Sequence, residues 1–215
     1  MFSKHFLLGL GAVGAALLVA GTAKAVTLDQ LTSGQSITVG STTYSNFSYG
    51  GTTPVSNVVV TTTASGLAFT TNTGGWATPS GSSVISYDIT ETGNTIQSVG
   101  LDFSATASGG AIASVGETVT DLTNKKDYSL QVNVGAGGNT DSTADSVTLS
   151  PTTTSLHVVK SIDIAPNGAG IASITLVDNT FVPTGGTPPG VPEPMSIALL
   201  PLALAALGLR KKFAR

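Results

Sequence analysis

The sequence predicts an all-β protein: an antiparallel, jelly-roll-like β-sandwich with an N-terminal signal helix before it and a short C-terminal transmembrane helix after it. Three observations predict it. Apolar residues recur with a period of two through most of the chain, as they do in strands with one buried face. Glycine-rich turns separate these segments, and none carries a convincing helical period. The two ends are apolar runs of a different kind, flanked by basic residues.

The first element, residues 1–25, has the layout of a secretory signal peptide. Lys4 marks a short basic start, Phe6 to Ala20 is apolar, and Ala23-Lys24-Ala25 is a small-x-small cleavage site before Val26.

Residues 26–182 form the sandwich. Ile85, Tyr87 and Ile89 alternate with Ser86, Asp88 and Thr90, and Val99, Leu101 and Phe103 alternate with Gly100, Asp102 and Ser104. Tyr128, Leu130, Val132 and Val134 share one face of another strand, and Leu156, Val158, Ile162 and Ile164 one face of a fourth. Lys160 interrupts that last face, which predicts a sheet edge, a bulge or a side chain snorkelling to water. Further strands are expected at Ser36–Val39, Thr43–Tyr49, Val55–Thr63, Leu67–Thr70, Ala111–Val119, Ser146–Leu149, Ile171–Val177 and Thr180–Val182. The total is twelve, with Asn124-Lys125-Lys126-Asp127 as the tip of one hairpin. No internal repeat of fixed period points to a solenoid or propeller.

Residues 183–190, Pro-Thr-Gly-Gly-Thr-Pro-Pro-Gly, read as a linker. Residues 191–215 hold Val191-Pro192-Glu193-Pro194, an apolar run over 195–209 and a basic end of Arg210, Lys211, Lys212 and Arg215. Prolines on both sides of Glu193 keep the box extended and outside the following helix. At about 1.5 Å per residue the run is about 22 Å long, short of a hydrocarbon core of about 30 Å. The basic end belongs on the cytoplasmic side, which puts the sandwich outside and agrees with the signal peptide.

Charge narrows the function. The ends contain six of the nine basic residues and one of the twelve acidic ones, so the middle keeps three against eleven, a net of −8. Such a domain repels nucleic acid, because phosphate binding needs clustered Lys and Arg. There is no cysteine, so disulfides are not available to an exported chain. Threonine runs such as 61–63 and 152–154 suit exposed strand positions or O-glycosylation. Asn46-Phe47-Ser48 matches an N-glycosylation acceptor pattern, a short motif that carries little weight by itself.

Groups for chemistry are few, and no catalytic residue is assigned. His157 alternates with core residues and is expected on the solvent side; no Gly-x-Ser-x-Gly elbow accompanies it. Glu91 and Glu117 are the only glutamates of the middle region, and both are expected to be solvated, Glu91 in a turn and Glu117 outward on a strand. Paired carboxylates for glycoside hydrolysis are therefore not expected. Asp141 and Asp145 flank a polar loop and are candidate calcium ligands, calcium being the one cofactor the residue types suggest. Trp76 is the sole tryptophan. It is a candidate for stacking on a sugar ring or, alternatively, a cap on the open end of the core.

The tail is similar to a PEP-CTERM sorting signal, the substrate signature of exosortases, in its Pro192-Glu193-Pro194 box, apolar run and basic end. The resemblance implies export by a diderm bacterium that makes extracellular polysaccharide. It also implies transient anchoring in the inner membrane and cleavage by the exosortase, with Val191 to Pro194 recognised rather than catalytic. Signal peptidase, at Ala23 and Ala25, would be the other processing partner. Ser45-Asn46-Phe47-Ser48-Tyr49 and Val159-Lys160-Ser161-Ile162-Asp163-Ile164 also resemble sandwich domains of PEP-CTERM proteins, which bring no settled activity. The expectation is a non-enzymatic protein of the cell surface or extracellular matrix. The alternative is a secreted carbohydrate-binding module contacting polysaccharide, and a secreted hydrolase stands third.

Overall fold

The period-two segments pair into two antiparallel sheets that enclose one hydrophobic core. In this computed structural model the described residues are 24–77, 81–135 and 141–184. In chain order the elements are β1 (Ala25–Thr27), α1 (Leu28–Thr32), β2 (Ile37–Val39), β3 (Thr42–Gly51), β4 (Val58–Thr62), β5 (Gly66–Thr71) and β6 (Trp76–Ala77). They continue with β7 (Gly81–Glu91), β8 (Ile96–Ser108), β9 (Ile112–Asp121), β10 (Lys126–Gly135), β11 (Ala144–Thr153), β12 (Ser155–Ala165) and β13 (Ile171–Pro183).

The first sheet has the order β1-β4-β5-β13-β8-β11, with β6 also paired to β13; the second has the order β10-β9-β12-β7-β3-β2. Every ladder is antiparallel. This is the expected sandwich. Aromatic rings join its two layers at the centre. Tyr87 of β7 lies 5.8 Å from Phe69 of β5, and Tyr44 of β3 lies 5.9 Å from Phe181 of β13, measured between centroids. Such tilted pairs add to the area each ring buries.

Local structure departs from the expected strand list in the short strands β1 and β6, which that list lacks, and in three further places. Leu28 and Leu31, three apart, fall on one side of the short helix α1, and both are buried in the core. Pro54 has φ of −57° and accepts from the Asn57 amide, so Val55–Asn57 forms a 3₁₀ turn and the strand starts only at Val58. The two strands expected at Ile171–Val177 and Thr180–Val182 are one continuous strand, β13.

The β9–β10 turn forms near its expected place for a visible reason. The Asp121 Oδ1 accepts from the amides of Thr123 and Asn124, each at 2.9 Å, and Lys125 takes a left-handed φ of 54°. Thr153 Oγ1 donates to the same oxygen at 2.8 Å, which ties the turn to the end of β11. Burial pushes the Asp121 carboxyl up, but hydrogen bonds led by Asn124 outweigh it and hold the group below its usual value.

Both ends of the folded part lie at one pole. Lys24 exchanges hydrogen bonds with Thr62 at the top of β4, and the Phe181 amide donates to Ser65 in the β4–β5 turn. Thr184 follows at the same pole, bonded to Thr95. Ala25 pairs with Thr61, so the small-x-small site abuts the first strand. Ala23, Val191, Pro192, Glu193, Pro194 and the 195–209 run lie outside the described residues. Among the described residues no helix is long and apolar enough to cross a membrane.

Candidate functional site

Three polar residues occupy core positions at the middle of the sandwich. Lys160 shares a face of β12 with Val158 and Ile162, Glu117 shares one of β9 with Val115 and Val119, and Asn179 shares one of β13 with Val177 and Phe181. The three are 0 %, 3 % and 0 % exposed. Lys160 pairs directly with Glu117 across the β12–β9 ladder, and Asn179 faces them from the opposite sheet.

One carboxylate gathers the cluster. Lys160 Nζ forms an ion pair with Glu117 Oε2. Asn179 Nδ2 donates to Oε1 and to Oε2, each at 2.9 Å, and to the Gly100 carbonyl at 3.2 Å. Tyr87 donates its hydroxyl to Asn179 Oδ1 at 3.0 Å. Burial pulls the Lys160 ammonium below its usual pKa, against the opposing pull of Glu117, and pushes the Tyr87 phenol well up. The Phe69 ring closes the site, 5.9 Å from Lys160 Nζ.

Two expectations are corrected here. Lys160 lies at neither an edge nor a bulge and does not reach water; β12 is a central strand, and a buried carboxylate neutralises its ammonium. Glu117 points inward, because it is in phase with Val115 and Val119. Glu91 is a third correction. It ends β7 but is only 4 % exposed, with Oε2 accepting from Thr42 Oγ1 at 2.5 Å. Sequence reading missed Asn179 altogether, since splitting β13 left it in a gap. The signal was its phase with Val177 and Phe181.

His157 lies on the solvent side of β12 as expected. Its Nδ1 is 2.6 Å from Asp88 Oδ1, and the two side chains are 37 % and 26 % exposed. Asn46 donates to the other Asp88 oxygen at 2.7 Å from a β3 bulge, where its φ is 53°. The aspartate fixes the ring, and among the described residues no hydroxyl is hydrogen-bonded to His157.

Trp76 is 4 % exposed, and its indole N–H is buried without a hydrogen-bond partner among the described residues. It faces the core from the short strand β6, with little of its ring at the surface. Asp141 and Asp145 are exposed but serve the backbone. Asp141 Oδ1 accepts from the Gly135 amide at 3.1 Å, and Asp145 accepts from Gln131 at 2.9 Å and Ser146 at 2.8 Å. Among the described residues no three His, Asp or Glu side chains cluster as metal ligands.

The outer face of the second sheet holds an open concavity of about 530 Å³. Thr118, Ser129, Gln131, Asp145, Val159 and Ser161 are among the residues that line it. Gly116 also lines it, and a Cβ added there would meet nothing within 4 Å.

No protein-family model matches the chain, and no curated protein does. Among solved structures it is similar to TmCBM61 in complex with beta-1,4-galactotriose, with 14 % identity and a TM-score of 0.35 over 64 % of this chain and 88 % of that one. It is also similar to the enzymatically active domain of tailspike protein 4 from bacteriophage CBA120, with 15 % identity, a TM-score of 0.31 and coverage of 64 % and 20 %. A third is xylanase10C from Cellvibrio japonicus in complex with xylopentaose, with 16 % identity, a TM-score of 0.28 and coverage of 63 % and 27 %. The chain thus spans about a fifth and about a quarter of the last two. At such scores neither a ligand nor an activity transfers.

Proposed function

We propose that this chain is an exported, non-enzymatic β-sandwich protein of the cell envelope or extracellular matrix, sorted through its Val191-Pro192-Glu193-Pro194 box and cleaved there by an exosortase. The supporting observation is the position of the two ends. Lys24 and Thr184 leave the sandwich at one pole, which suits a chain handled from both ends at one membrane. A domain attached at one pole can fold away from a membrane that holds either end. Mass spectrometry of the mature protein from its native cells tests the reading. Chains ending near the box are expected; an intact Arg215 on most molecules would sink the processing claim.

A second reading, contact with extracellular polysaccharide, is favoured by the concavity over Gly116. Its hydroxyl and amide lining suits a polyhydroxylated ligand, although it has no aromatic platform. Glycan-array binding of the full chain should weaken with Gln131→Ala and be unchanged by Trp76→Phe. Absence of binding to any glycan would remove this second reading.

A further inference from the structure

The buried cluster holds an amine and a carboxamide against one carboxylate, away from water. We propose that Lys160 and Asn179 become joined through their side chains by an amide bond, with Glu117 as proton carrier, so that the two sheets are covalently cross-linked. This inference is independent of where the protein is delivered.

The geometry supplies each role. Lys160 Nζ and Asn179 Nδ2 both bond to Glu117 Oε2, so nucleophile and leaving nitrogen meet at one oxygen. Nδ2 donates to both carboxylate oxygens and to the Gly100 carbonyl, which fixes the amide orientation and leaves Oδ1 to Tyr87. The Tyr87 hydroxyl therefore already donates to the oxygen that gains charge on attack. Burial favours neutral over charged forms, and Lys160 is 0 % exposed.

The chemistry balances without another reactant. A proton moves from Lys160 Nζ to Glu117, giving a neutral amine and a neutral acid. The Nζ lone pair attacks Asn179 Cγ, and the C=O pair moves onto Oδ1. Glu117 protonates Nδ2 and takes a proton from the attacking nitrogen. The Oδ1 pair then reforms the carbonyl, the Cγ–Nδ2 bond breaks and ammonia leaves. One carbon–nitrogen bond is exchanged for another and nothing is oxidised. Exclusion of water suppresses the competing hydrolysis of the carboxamide. Glu117 is the catalytic residue of a single turnover, and Tyr87 assists it.

The bond would link β12 to β13, and thus one sheet to the other, in a chain with no cysteine. Peptide mapping of the purified full chain tests this. Cutting before Asp163 and Asp178 opens the segment between the linked residues. The expected product is a branched peptide joining the Lys160 and Asn179 fragments, lighter by one ammonia than their sum. Lys160→Arg and Asn179→Ala should each yield separate linear fragments, and Asn179→Asp should link with loss of water instead. Separate linear fragments from folded wild-type protein would overturn the proposal. Loss of ammonia without a branched peptide would overturn it too, since a succinimide at Asn167-Gly168 has the same mass.

Discussion

Lys160 and Asn179 stand on strands of opposite sheets, yet both reach the same carboxylate oxygen of Glu117. The cross-strand register puts Glu117 beside Lys160, and the facing sheet delivers Asn179. The first prediction follows from the cost of an unpaired buried charge. Glu117→Ala should lower unfolding free energy by about 3–5 kcal/mol, read by chemical denaturation. A loss under about 1 kcal/mol would place the pair in solvent.

Asp178 opposes Asp102 across the β13–β8 ladder. Burial, then repulsion from Asp102, raises its carboxyl to about 6. The folded protein therefore holds this proton more tightly than the unfolded chain does. Stability contributed by the site is present below about pH 4 and lost as the pH rises through about 6. Asp178→Asn should add about 1–2 kcal/mol at neutral pH, a discounted share of the full shift, and nothing near pH 3. Thermal melts at both pH values check this; equal gains at both would refute it.

The Asp121 carboxylate has the opposite sign. Its folded value is lowered, so its contribution is present above about pH 4 and lost as the pH falls through the folded value. Asp121→Ala also strands the Thr123 and Asn124 amides and should lose about 2–3 kcal/mol at pH 7. Its denaturation midpoint should then vary less with acid than the wild type's.

Trp76 packs inside, so its fluorescence should be blue-shifted and indifferent to added oligosaccharide. Trp76→Ala should lose about 3–5 kcal/mol. Quenching by a sugar would return the ring to the surface.

Two glycines make a controlled pair. A Cβ at Gly66 would collide with the Asn179 backbone, whereas one at Gly116 meets nothing within 4 Å. Gly66→Ala should lose about 1–3 kcal/mol or more, and Gly116→Ala should change stability by less than about 0.5 kcal/mol. Similar melting points for the two variants would contradict this strand packing.

Much of the sandwich was legible in the chain. Alternation at Ile85–Ile89, Val99–Phe103 and Tyr128–Val134 marked strands because a half-buried strand must place every second side chain in the core. Less was legible where local chemistry overrode the pattern, at Pro54 and in the two-leucine turn of α1.

By itself the sequence determined the fold class and the acidity of the central region, since period two and charge count are properties of the chain alone. The tertiary structure decided what the polar residues do. Lys160, Glu117 and Asn179 look like interruptions of three separate hydrophobic faces, and 62 positions separate the last two. Only strand register and the stacking of two sheets bring them together, because a buried charge is tolerated where its partner arrives from elsewhere in the chain.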